Sequence, residues 1–133
     1  MRLNDEMTPP ELWRFFPIGY LLTIAIETPI LVIGLSERHS TRRRLLAGVW
    51  LTACTYPIVT LVLPLVFVNH SRGLFLLVAE VFAPVAECAL FWLAFGSKER
   101  LGMWRDFLAI VVANLASFGV GEILNARQWF GLV

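Results

Sequence analysis

Four glutamates stand where lipid should be. Glu27, Glu80, Glu87 and Glu122 all fall inside long apolar runs of a 133-residue chain. Asn114, Ser117, Thr52, Thr55 and Tyr56 share those runs. A strongly polar residue ionised at the centre of a membrane helix costs roughly 2.5–3.5 kcal/mol on insertion scales. Glu27, Glu80 and Glu87, all near mid-membrane, would together cost on the order of 8–10 kcal/mol if they were charged and faced lipid, which rivals the whole stability of a domain. They are therefore expected to face the interior of a helix bundle. Glu80 and Glu87 are seven residues apart, close to two turns, and so share one helix face with Pro84 between them. Pro29 follows Glu27 by two residues and Pro57 follows Thr55 by two. A proline inside a helix frees a carbonyl, and kinked membrane helices use such carbonyls as ion ligands.

The apolar runs hold no Lys, Arg or His, so the buried acids lack a basic partner from within them. Four resolutions are open: protonation, a bound cation, hydrogen bonds from Asn114, Thr52, Thr55, Tyr56 and freed carbonyls, or a basic side chain from another subunit. The lack of histidine pairs in the runs argues against a haem anchored between helices. Cys54 and Cys88 lack metal-ligand spacing and read as small buried hydrophobes. Glu80 and Glu87 lie about 10 Å apart along a helix, too far to share a proton as an acid–base pair. No nucleophile or metal cluster accompanies them, so the expectation is no enzyme and no cofactor.

The elements that must position these groups follow from composition. The chain is 58% hydrophobic and 16% charged, against about 45–50% and 25% in soluble domains. The excess is concentrated in Phe15–Leu35, Leu45–Val68, Gly73–Phe95 and Phe107–Leu124. Each run is close to the roughly 20 residues that a helix needs to span the hydrocarbon. None shows the two-residue alternation of barrel strands, and a helix satisfies its own backbone. The sequence thus predicts an all-α membrane protein, residues 1–133 forming a single domain of four transmembrane helices at about 10–35, 44–68, 73–96 and 104–125. The first run lacks the basic start and cleavage site of a signal peptide. No basic patch interleaved with exposed aromatics suggests nucleic-acid binding.

Seven basic residues (Arg38, Arg42, Arg43, Arg44, Lys98, Arg100, Arg105) fall in the loops joining the first helix to the second and the third to the fourth; Arg2, Arg14, Arg72 and Arg127 fall on the other side. The positive-inside rule assigns the larger group to the cytoplasm, leaving both termini outside. The Ser36–Arg44 loop reads as a topology signal beside anionic lipid. Thr8-Pro9-Pro10-Glu11 reads as a capping box with proline at the first helical position. Trp13 and Trp129 suit the outer interface and Trp104 the inner one.

The chain also aligns with itself. Thr52-x-x-Thr55-Tyr56-Pro57 matches Asn114-x-x-Ser117-Phe118-Gly119 at an offset of 62, and Glu27 matches Glu87 at an offset of 60. This suggests two tandem helical hairpins in parallel repeat, with a site where they meet. Ala113, Ser117 and Gly121 form a small-x-x-x-small series that suits close helix packing.

Asn114-x-x-Ser117-Phe118-x-x-Gly121 resembles a stretch of the Fluc-type fluoride channels, whose glycine-rich start and phenylalanine-rich third helix are absent here. Thr52, Thr55 and Pro57, with Glu80 and Glu87, then Asn114 and Ser117, resemble small uncharacterised bacterial four-helix membrane proteins carrying an Asn-x-x-Thr-x-Pro motif in helix 2. The match departs from that motif at Thr52 and in the spacing to Pro57. The resemblance implies a bacterial inner-membrane location and no defined activity. The functional expectation is a transport or channel module, a homo-oligomer or a subunit of a larger complex, handling a proton or small cation through Glu27, Glu80, Glu87 and Asn114, with Thr52, Thr55, Tyr56 and Ser117 beside them. The alternative is a non-catalytic assembly subunit whose buried polar residues dock partner helices.

Overall fold

The computed structural model describes residues 9–37, 39–95 and 100–127. These residues form four long helices: α1 Pro9–Gly34, α2 Thr41–Val66, α3 Arg72–Phe95 and α4 Arg100–Ala126. Each is long and apolar enough to cross a membrane, and there is no strand among the described residues. Thr8 of the expected capping box and Trp129 lie outside the described residues.

Two helices begin earlier than expected, α2 at Thr41 rather than 44 and α4 at Arg100 rather than 104. Charged residues read as loop because they cannot sit in lipid, yet they are good helix formers and reach water from a helix end. Ser40 caps α2: its hydroxyl accepts from the Arg43 backbone N–H at 3.2 Å, satisfying one of the unpaired donors of the first turn. Within α2, Ile58–Val62 widens into a π turn. It lies between Pro57 and Pro64, neither of which can donate a backbone hydrogen bond. Thr60 Oγ1 donates to the Tyr56 carbonyl at 2.7 Å across this stretch.

α1 packs against α2 and α4, and α3 packs on the other side of the same two helices. Two glycines set the approach of α1. A Cβ on Gly48 would press into Thr28, 2.9 Å from its Cα, and one on Gly34 would sit 2.9 Å from the Ala109 Cβ. The small-residue series of α4 behaves differently. Ala113 is in the core, but a Cβ on Gly121 would meet open space, because Gly121 lines a cavity.

The interior is layered. Leu31, Leu35, Ala47, Leu51, Phe91, Ala109, Ile110 and Ala113 make a dry apolar core toward the end that carries the α1–α2 loop. Toward the opposite end, Phe16 and Tyr20 stack on each other and both meet Tyr56, with centroids 5.2–5.9 Å apart. The outer faces are apolar: Leu21, Ile33, Val85, Leu93, Leu108 and Ile123 are all more than half exposed. Apolar outside and polar inside is the pattern that a lipid environment selects. Trp13 and Trp104 are 64% and 71% exposed near opposite ends of the bundle, as interfacial residues should be.

Gly48→Ala should destabilise the protein by about 1–3 kcal/mol, because backbone must move to admit the methyl group. Gly119→Ala, which meets nothing within 4 Å, should be neutral or slightly stabilising, since alanine is the better helix former. Equilibrium unfolding in mixed micelles measures both.

Candidate functional site

Glu27 on α1 and Glu87 on α3 are both 2% exposed. Each takes one hydrogen bond from α2 and one from α4. Glu27 Oε2 accepts from Thr52 Oγ1 at 3.1 Å, and its Oε1 accepts from Ser117 Oγ at 2.6 Å. Glu87 Oε1 accepts from Thr55 Oγ1 at 2.6 Å, and its Oε2 accepts from Asn114 Nδ2 at 2.8 Å. The two 2.6 Å contacts are in the range of charge-assisted O–H···O⁻ bonds. Thr52 and Thr55 are three apart on α2, as are Asn114 and Ser117 on α4, so each pair shares a helix face. Thr52 and Asn114 are matched at the 62-residue offset, and so are Thr55 and Ser117. Each carboxyl therefore takes one donor from its own half of the sequence and one from the other half.

The proton count at this belt is flexible. A hydroxyl carries one proton, and each of the three hydroxyls also lies near a carbonyl of its own helix. Thr52 is 2.8 Å from the Gly48 oxygen, Thr55 3.1 Å from Leu51 and Ser117 3.1 Å from Asn114. When a glutamate is ionised, the hydroxyls donate to it. When it is protonated, its own proton can go to a hydroxyl oxygen, and the hydroxyl turns to the carbonyl. Asn114 is fixed, because its two N–H bonds go to Glu87 and, at 2.9 Å, to the Ile110 carbonyl. Both charge states are thus satisfied without moving a heavy atom.

The belt forms the inner end of a partly open cavity of about 130 Å³. Chain direction gives its course. From Glu27, Thr52, Glu87 and Asn114 it runs toward Gly19, Thr60, Phe75 and Glu122, the end of the α2–α3 turn. The apolar core closes the other side. Glu80 lines this cavity half-buried, farther out than Glu87. Glu122 also lines it and pairs with Arg72 at 2.6 Å, each side chain about a third exposed. Tyr56 lines the cavity as well but bonds neither glutamate; among the described residues its buried hydroxyl has no hydrogen-bond partner. Cys54 and Cys88 are free and half-buried rather than fully buried. Among the described residues no group of three or more His, Cys, Asp or Glu side chains is placed to hold a metal ion.

A second polar cluster lies beyond the apolar core, and the residue pattern did not reveal it. Asp106, fully buried, accepts from the Ser36 backbone N–H at 2.7 Å and meets His39 Nε2 at 2.9 Å. Arg43 Nη1 approaches His39 Nδ1 at 3.4 Å. A guanidinium only donates, which makes Nδ1 the acceptor and leaves the Nε2–H to donate to Asp106. Arg44 donates to the carbonyls of Val32, Ser36 and His39 at 2.7, 3.1 and 3.1 Å, and Arg105 donates to Gly34 at 3.1 Å. These arginines satisfy the last carbonyls of α1; part of the basic loop is therefore a helix cap. His39 falls in the expected first loop and Asp106 at the charged start of the expected fourth helix, neither position marked by the sequence as buried. The only hint in the sequence is that their types are complementary at adjoining helix ends.

Asp106→Asn should cost about 1–3 kcal/mol, because its amide N–H₂ must face one of two buried N–H donors. Unfolding in mixed micelles should register it, whereas an unchanged stability would remove Asp106 from the account of the fold. Comparison of the chain with family models, with curated proteins and with solved structures found no match.

Proposed function

We propose that the protein is a membrane transport or channel module that exchanges a proton or small cation at Glu27 and Glu87. The observation that carries this reading is the pairing of two buried carboxyls, satisfied in either charge state, with a cavity that reaches them from one end. A group that holds only structure has no need of an access route. Glu80 and Glu122, partly exposed along the cavity, form the approach. Positive-inside bias supports a cytoplasmic α1–α2 loop, and with it a cavity that opens outward; a bacterial inner membrane is the location we propose. The donor exchange between halves supports a parallel repeat of two hairpins, a plan that transporters use with the site at the repeat interface. Four helices enclose little space, so the working unit is a homo-oligomer or part of a larger complex.

The alternative, a non-catalytic assembly subunit, would use buried polar residues to dock a partner's basic side chain. The partly open cavity that reaches Glu27 and Glu87 favours the transport reading at these two positions.

Proteoliposomes carrying a pH-sensitive dye test the proposal. The wild type should collapse an imposed proton or cation gradient, and Glu27→Gln and Glu87→Gln should each slow it by at least about tenfold, the scale of one lost charge-assisted hydrogen bond. Absence of flux in the wild type, or unchanged flux in both variants, contradicts it.

A further inference from the structure

The cavity contains a mismatch that a proton alone leaves unresolved. Tyr56 is 9% exposed and lines the cavity, yet among the described residues its hydroxyl has no hydrogen-bond partner. Its oxygen is an acceptor that no donor meets, and a buried polar group left unmet costs about 1–3 kcal/mol. The carboxyls of Glu27 and Glu87 line the same cavity, and much of its remaining wall is apolar and aromatic, including Leu22, Phe75 and Phe118. The cavity thus offers both acceptors for a cation and an apolar slot.

We infer that this cavity binds one small protonated organic amine with an apolar or aromatic tail. The inference rests on the transport reading and names its cation. The three N–H donors of a primary ammonium match the two glutamates and the Tyr56 oxygen. The tail would lie along Phe75 and Phe118, where aromatic faces also attract cationic groups. Size agrees: an apolar cavity of about 150 Å³ holds benzene, and this one is about 130 Å³ and partly open. A bare alkali ion would leave the apolar wall without an occupant. Charge also balances. One glutamate ionised and one protonated neutralise one ammonium, so binding to a pair that begins fully protonated releases one proton. Glu80 of α3 and Glu122 of α4 line the cavity farther out, with Arg72 beside Glu122; their partial exposure leaves the buried pair as the stronger anchor.

Equilibrium dialysis of radiolabelled benzylamine against the whole protein in nanodiscs, with empty nanodiscs subtracted, tests this. One saturable site per chain is expected. Benzyl alcohol, which has the same ring and no charge, should compete at least about tenfold more weakly, and excess sodium or potassium chloride should not displace the amine. Tyr56→Phe should weaken binding about three- to tenfold, the scale of one hydrogen bond, and the double variant Glu27→Gln/Glu87→Gln at least tenfold. No saturable binding to the wild type, equal competition by the alcohol, or displacement by alkali salt overturns the amine site. Proton flux without amine binding would overturn this inference and leave transport standing. Amine binding without flux would uphold the site and overturn transport.

Discussion

A carboxyl group inside hydrocarbon has to be met by donors from its own protein, because no water is there to meet it. That constraint organises this bundle. Glu27 and Glu87 sit on helices at opposite sides of the bundle, and the donors for both come from the two helices between them. α2 has to present Thr52 and Thr55, and α4 has to present Asn114 and Ser117, at one depth. Gly48 and Gly34 let α1 come close enough for its carboxyl to reach both. Apolar association between helices is weak when lipid is as apolar as the side chains, so the polar belt supplies specificity that apolar packing cannot.

The belt divides the interior into unlike halves. On one side the apolar core is tight; on the other lie the cavity, the π turn of α2 and the Tyr56 hydroxyl, which has no hydrogen-bond partner among the described residues. Pro57 and Pro64 interrupt the hydrogen-bond ladder of α2 in the hollow half. Beyond the tight half, Asp106, His39 and the arginines fasten the α1–α2 loop to α4. The bundle is thus anchored at one end, closed in the middle and open toward the other.

Much of this was legible in the residues. Run length and the absence of alternation gave four membrane helices, and the cost of charge in lipid placed Glu27 and Glu87 inside. Thr52, Thr55 and Asn114 are recognisable as donors to them because hydroxyls and amides are what the runs offer at that depth, whereas Ser117, which reads as part of a small-residue packing series, proves to be a donor to Glu27. Tyr56, expected beside them as a donor, bonds neither glutamate, since spacing along one helix does not say where a phenol ends. Gly121 was misjudged as a packing residue, since a small-residue series looks the same beside a neighbour or a cavity. The burial of Asp106 and His39 is not legible in the residues, because burial at a helix end depends on how the loop folds back.

Thr55 holds Glu87 across the two halves of the chain. The penalty of Thr55→Val, measured by unfolding in mixed micelles with Glu87 and again with Glu87→Leu, tests it directly. With Glu87 present the loss should be about 1–3 kcal/mol, because a buried carboxyl oxygen loses its donor. With leucine there it should fall close to zero. The same penalty in both backgrounds would contradict the account.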